Sequence, residues 1–129
     1  EYVTAEEYYT QALTMYRKIY YGEECNRNDI ANTLKCLGYV KRQLKMIDEA
    51  EKLYLESLHM YRQIHGPDSN NSDIALVLAL CANNYRDAGE EEKAIVMYVE
   101  SLLMYREVEP DHENVPIIIQ NLADLGVQV

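Results

Sequence analysis

Three histidines and three cysteines are the side chains of this sequence best suited to chemistry. His59 and His65 lie six residues apart, a spacing that does not bring them to one face of a helix. His112 stands beside Glu113, just after Pro110. No structural-zinc spacing joins them to the cysteines, so each histidine is expected to be solvated. Cys81 ends an apolar run and should behave as a small buried hydrophobe. Cys25 and Cys36 have no evident His or Arg neighbour that would hold a reactive thiolate. There is no Gly-rich phosphate loop, no nucleophile elbow and no HExxH pair. These absences predict a chain without catalytic residues, metal or cofactor.

Composition narrows the partners. The chain has 129 residues, 22 of them acidic and 12 basic, for a net charge of -10. Nucleic-acid binding draws on clustered Lys and Arg, and anionic membranes attract the same residues, so neither partner is expected. The longest run without polar side chains, Ile74 to Ala82, is far short of the ~20 residues that span a bilayer. No basic-then-apolar leader opens the sequence. An odd number of cysteines suits a reducing compartment, so a cytoplasmic setting is expected. The charge is uneven. Residues 1–65 hold 9 basic and 10 acidic side chains, net -1, and residues 66–129 hold 3 and 12, net -9. Such a gradient favours an asymmetric partner. Glu90 to Glu92 follow Gly89 and suit the N-terminal turn of a helix.

The elements that position these residues are repeated. Met15-Tyr16-Arg17 returns as Met60-Tyr61-Arg62 and Met104-Tyr105-Arg106, at offsets of 45 and 44. Sliding residues 23–66 onto 67–110 gives 14 identities in 44 pairs, so the unit is about 44 residues long. Within it Ile30, Ala31, Leu34, Leu37, Val40 and Leu44 follow the 3.6-residue period of a helix. Leu53, Tyr54, Leu58, Tyr61 and Ile64 follow it again. Asn28 and Ser72 occupy expected N-cap positions, and Thr4 to Glu7 form an expected capping box. Gly66-Pro67 and Pro110 mark helix ends. Six helices are predicted, at 4–20, 28–44, 47–64, 72–87, 90–108 and 115–126.

A two-helix unit of this length also fits HEAT-type repeats, and the signature positions decide. Leu34, Leu37-Gly38, Ala50, Tyr54 and Ser57 return as Leu78, Cys81-Ala82, Ala94, Tyr98 and Ser101. Ala5, Tyr9 and Ala12 stand before them, and Leu122 and Leu125-Gly126 after them. In these positions the chain resembles the tetratricopeptide repeat, in the longer class of kinesin light chain and nephrocystin-like proteins. The resemblance implies an all-α, right-handed α-solenoid of antiparallel helix pairs. Residues 1–22 would be the second helix of a partial repeat, 23–66 and 67–110 whole repeats, and 111–129 the first helix of another. The small residues would allow close helix approach, with aromatic rings in the adjoining gaps. Tyrosine replaces the usual Phe or Trp, and since its hydroxyl needs water or a partner, many rings are expected partly at the surface. Lys41 stands where Tyr85 stands one unit later, so its stem must snorkel. Lys45 stands where Gly89 supplies the turn, at a cost of roughly 1–2 kcal/mol if that turn is left-handed.

By the same resemblance the chain is a non-catalytic scaffold that binds a protein or peptide along the concave wall of its first helices. That wall would take Asn32, Lys35, Cys36, Tyr39 and Arg42, then Leu76, Ala79, Leu80, Asn83 and Arg86, then Gln120, Ala123 and Asp124. An apolar strip at Leu76 and Leu80 beside Arg42 and Arg86 would anchor the partner. Equally, Leu76 and Leu80 would be core if adjacent helices cover them, since the segment is apolar all round. The asparagine ladder by which this class grips peptide backbone is missing, with Lys35-Cys36, Ala79-Leu80 and Ala123-Asp124 in its slots, so that mode does not carry over. A spacer without groove ligand, or an enzyme or regulator with an inner-wall pocket, are the alternatives. Finally, Ile118, Leu122 and Leu125 would form an uncovered stripe on the last helix. With Gly126 in the close-approach slot and Ala5 in the complementary slot of the first helix, the chain would self-associate head to tail.

Overall fold

Ile30, Leu34 and Leu37 recur along one side of a helix, and their burial against Leu13 forms a core to which Tyr9, Tyr16, Leu53 and Met60 add their side chains. The computed structural model describes residues 1–19 and 27–129, with the side chains of residues 18 and 19 left aside. Cys25 lies outside the described residues. The helices are α1 (Tyr2–Ile19), α2 (Arg27–Gln43), α3 (Ile47–His65), α4 (Ser72–Asp87), α5 (Glu91–Val108) and α6 (Asn114–Asp124). Each lies within two residues of its expected bounds. No strand occurs among the described residues. Two compact units are formed, Glu1–Pro67 and Asp68–Val129. In the first, α2 packs on α1 and α3; in the second, α5 packs on α4 and α6.

The same bond ties the helix pair of each unit. Ser57 donates its hydroxyl to the Ala31 carbonyl at 2.7 Å, and Ser101 donates to the Ala75 carbonyl at 2.6 Å. All four residues are fully buried. The repeat therefore conserves a polar contact inside an apolar seam, where each hydroxyl needs a partner. Gly38 serves Tyr54: a Cβ at residue 38 would lie 2.9 Å from two atoms of that ring.

The tyrosines divide: Tyr2, Tyr8 and Tyr39 are exposed and Tyr9 and Tyr16 half-buried, as expected, while five others go inside. Tyr54, Tyr61, Tyr85, Tyr98 and Tyr105 are all buried. Two of these rings meet an asparagine from another helix at the hydroxyl. Tyr98 donates to Asn83 Oδ1, and the Asn114 side-chain amide donates to the Tyr105 hydroxyl at 3.2 Å. Burial raises the Tyr105 phenol above its ordinary 10.0, a trend that the Asn114 bond opposes.

Helix ends follow local rules, with three corrections at the starts. Asn71, not Ser72, caps α4: its backbone is extended and its side chain accepts from the Asp73 N–H at 2.7 Å. Of two adjacent polar residues, the one that stays extended can turn its oxygen to the open N–H groups. Ser72 is already helical, and its hydroxyl donates to Glu109 at 3.0 Å. Asn28 lies within α2, which starts at Arg27. Thr4 lies within α1, whose Ala5 N–H donates to the Glu1 carbonyl at 3.0 Å, so there is no capping box there.

At the C-terminal ends of α2, α4 and α6 the same paired bonds recur. Met46, Glu90 and Val127 donate to the carbonyls of Lys41, Tyr85 and Leu122, and Lys45, Gly89 and Gly126 donate to those of Arg42, Arg86 and Ala123. The pattern requires a left-handed residue at its centre. Gly89 and Gly126 supply it at φ 81° and 86°, and Lys45 does so at φ 65°. Lysine has a Cβ in the way, so the cost expected from the sequence is present. Lys45→Gly should stabilise the chain by about 0.5–1 kcal/mol, the relieved strain exceeding the added freedom of the unfolded chain. A rise in the urea midpoint checks it; a fall would mean that Lys45 makes a contact worth more than its strain.

Candidate functional site

Four side chains share one face of α4 at spacings of four, three and three residues: Leu76, Leu80, Asn83 and Arg86. All are half-exposed, while Val77, Leu78, Cys81 and Ala82 behind them are buried. A helix apolar all round thus keeps two leucines in contact with water. Ala79 is buried at 7% exposure and leaves the expected wall for the core.

The polar end of this face is built by two further helices. Arg86 reaches Asn121 Oδ1 at 3.4 Å and Asp124 Oδ2 at 3.7 Å, both on α6. Gln120 donates to the other Asp124 oxygen at 2.9 Å. Asn83 turns its carbonyl oxygen to the Tyr98 hydroxyl on α5, so it both lines the face and holds a core ring. The structure therefore joins Leu76, Leu80, Asn83, Arg86, Gln120 and Asp124 in one unit. Asn121 belongs with them, and nothing in the sequence singled it out. In the other unit, Asn32, Lys35, Tyr39 and Arg42 share the corresponding face of α2. Asn32 and Tyr39 are exposed, and Lys35 and Arg42 half-exposed. Cys36 is half-buried and meets Tyr9 of α1, whose phenol it raises above the ordinary 10.0.

A paired exchange lies at the far end of these helices. Lys41 takes the slot of Tyr85 and snorkels as expected, but between carboxylates from both neighbours. It donates to Glu6 of α1 at 2.6 Å and pairs with Glu49 of α3 at 3.3 Å. The Glu6 bond holds the Lys41 ammonium above its ordinary 10.5. In the other unit Tyr85 meets Lys93, whose ammonium lies 5.5 Å from the ring centre. Glu49 and Lys93 occupy the same repeat position. A cation facing a carboxylate in one unit becomes a ring facing a cation in the next, and the sequence shows that exchange only when both positions are read together.

The histidines remain apart from this face. His59 is exposed on α3. His65 stacks on Tyr61 with centroids 6.3 Å apart. His112 stacks on Tyr105 at 4.6 Å, and its Nδ1 accepts from the Asn114 N–H at 3.0 Å, ordering the start of α6. Among the described residues no group of His, Cys, Asp and Glu could hold a metal ion. No described helix is long and apolar enough to cross a membrane.

Helix α6 corrects the expected association stripe. Ile118 and Leu122 are buried, at 2% and 0% exposure. Both lie on a helix that packs on the preceding helix α5, so they form no uncovered stripe. Gly126 lies beyond the helix end, in the left-handed cap, and is not a close-approach slot. Ala5 is half-exposed on α1.

Residues 27–71, which contain α2 and α3, match the family profile of the tetratricopeptide repeat. Over these residues the chain is similar to tetratricopeptide-repeat proteins. Tetratricopeptide repeats generally mediate protein–protein interaction and are typically non-catalytic. Among solved structures, 28 chains match this one. One is the crystal structure of BtubC (BKLC) from P. vanneervenii, with a TM-score of 0.81 over 96% of this chain and 17% sequence identity. The present chain spans 47% of that protein's length. At that identity the likeness establishes the fold, an all-α helical-repeat solenoid, and not the partner. No curated protein matches the chain in sequence.

Proposed function

We infer that this chain is a non-catalytic protein-interaction module. Its binding face on α4 takes an extended or helical segment of a partner protein. The observation that carries this reading is the half-exposure of Leu76 and Leu80 on a helix whose other apolar residues are buried. Two leucines one turn apart offer an apolar anchor, and Arg86, Asn83 and Gln120 beside them offer donors for polar flanks. The matching face of α2, with Lys35, Tyr39 and Arg42, is a second contact area of more basic character. Cys36 and Cys81 are not in a disulfide, which suits work in the reducing cytoplasm.

The test is Leu80→Glu, which places a carboxylate where the anchor would dock. Helix content and urea midpoint should stay near the parent values, while recovery of protein partners by affinity capture should fall about tenfold or more. A Leu80→Glu protein that no longer folds would put Leu80 in the core. One that folds and recovers the same partners equally well would place the binding face elsewhere.

A further inference from the structure

Glu113 stands at the N-cap of α6 but makes no side-chain cap bond. His112 does the capping from one residue earlier. Its Nδ1 accepts from the Asn114 N–H at 3.0 Å, and its carbonyl accepts from the Val115 N–H at 3.0 Å. Pro116, next in the helix, has no N–H to satisfy. The first two N–H groups of α6 therefore both depend on His112. The ring is held from a second side by α5, stacking on Tyr105 with centroids 4.6 Å apart and planes 24° apart. Asn114 donates its side-chain amide to the same Tyr105 hydroxyl at 3.2 Å. On its outer edge the ring meets a carboxylate. His112 Nε2 lies 3.7 Å from Glu109 Oε2, beyond hydrogen-bond length but within reach of an ion pair. The other Glu109 oxygen accepts from the Ser72 hydroxyl of α4 at 3.0 Å. The His112 side chain keeps 25% of its surface exposed, so water delivers protons to it.

We propose that His112 is a pH-dependent cap: neutral, it holds the first turn of α6, and protonated, it releases Asn114 and pairs with Glu109. A ring nitrogen accepts only while it carries no proton, so the Nδ1 bond requires the neutral ring with its proton on Nε2. Protonation turns Nδ1 into a donor facing the Asn114 N–H, donor against donor. It also sets a positive charge at the partly positive end of α6. Glu109 is the carboxylate placed to receive that charge. The other titratable groups around the ring are Tyr105 on α5, Asp73 on α4, whose charge acts on Tyr105, and Asp111 and Glu113 in the connecting loop. Burial raises the Tyr105 phenol, so it stays neutral. Of these side-chain types only histidine ordinarily changes charge between pH 7.5 and 5.5. One proton thus decides which of two partners the ring serves, the helix after it or the carboxylate before it.

The test is NMR of the full chain between pH 7.5 and 5.5. At pH 7.5 the His112 ring should carry its proton on Nε2, and the Asn114 amide proton should show the downfield shift and shallow temperature dependence of a bonded group. Both marks should be lost at pH 5.5, along the titration of the His112 ring. The Leu102 amide, in the buried part of α5, should not change, which separates opening of one turn from unfolding. His112→Asn keeps a side-chain acceptor that reaches two residues on but does not titrate, so Asn114 should stay bonded at both pH values. His112→Ala has no acceptor, and Asn114 should be unbonded at both. Glu109→Gln keeps an acceptor for Ser72 but removes the charge, so the midpoint of the Asn114 change should move to lower pH. A parent whose Asn114 amide stays bonded at pH 5.5 overturns the proposal. So does a His112→Asn protein that loses the bond with pH as the parent does. If His112→Asn loses helix content, Glu109→Gln decides alone, and an unchanged midpoint overturns the exchange of partners.

Discussion

Leu78→Ala should destabilise the protein by about 2–5 kcal/mol, and Leu80→Ala by less than about 1 kcal/mol. The two leucines stand two residues apart on α4 and are alike in size and helix propensity. Leu78 is fully buried, so truncation removes apolar contacts and leaves a cavity that the close-packed surroundings fill only in part. Leu80 is half-exposed, and water replaces what its truncation removes. Urea denaturation of both variants gives the comparison. Equal losses would make both residues core and remove the apolar anchor from the α4 face. The contrast also separates folding from function, because only Leu80 belongs to the proposed binding face.

Gly38→Leu should cost about 3 kcal/mol or more, at the upper end of overpacking effects. Even a single carbon at this position falls 2.9 Å from Tyr54 Cδ1 and Cε1. That ring cannot swing away, since Tyr54 is fully enclosed. Gly38→Ala is the graded control. Its gain of about 1 kcal/mol in helix propensity opposes the clash, so a net loss of about 1 kcal/mol is expected. The other unit shows how the ring decides this. Ala82 occupies the matching slot and is fully buried, and there the ring of Tyr98 is held through its hydroxyl by Asn83. In α2 the place of Asn83 is taken by Tyr39. Tyr54→Leu should therefore rescue part of the Gly38→Ala loss by freeing the space. Gly38→Leu leaving the urea midpoint unchanged would show that α2 and α3 are farther apart than their tight contact implies.

By itself, the sequence determined the repeat and therefore the helices. A period of 44 with a 3.6-residue apolar pattern inside it leaves one way to bury the apolar side of each segment, so all six helices lie within two residues of where the pattern puts them. The strained turn at Lys45 was legible for a similar reason, since Gly89 marks the same position one unit later and glycine there means a left-handed backbone. Tertiary structure alone decided how deep each side chain lies. Ile118 and Leu122 are buried on a helix that packs on the one before it, and periodicity marks an apolar face without saying which neighbour takes it. Tyr98 and Tyr105 lie inside with their hydroxyls met by Asn83 and Asn114, the first from 15 residues away and the second from 9. Lys41 stays at the core edge because Glu6 and Glu49 converge on it from two different helices. Each of these outcomes depends on a distance between helices, and a pattern along one helix carries no such distance.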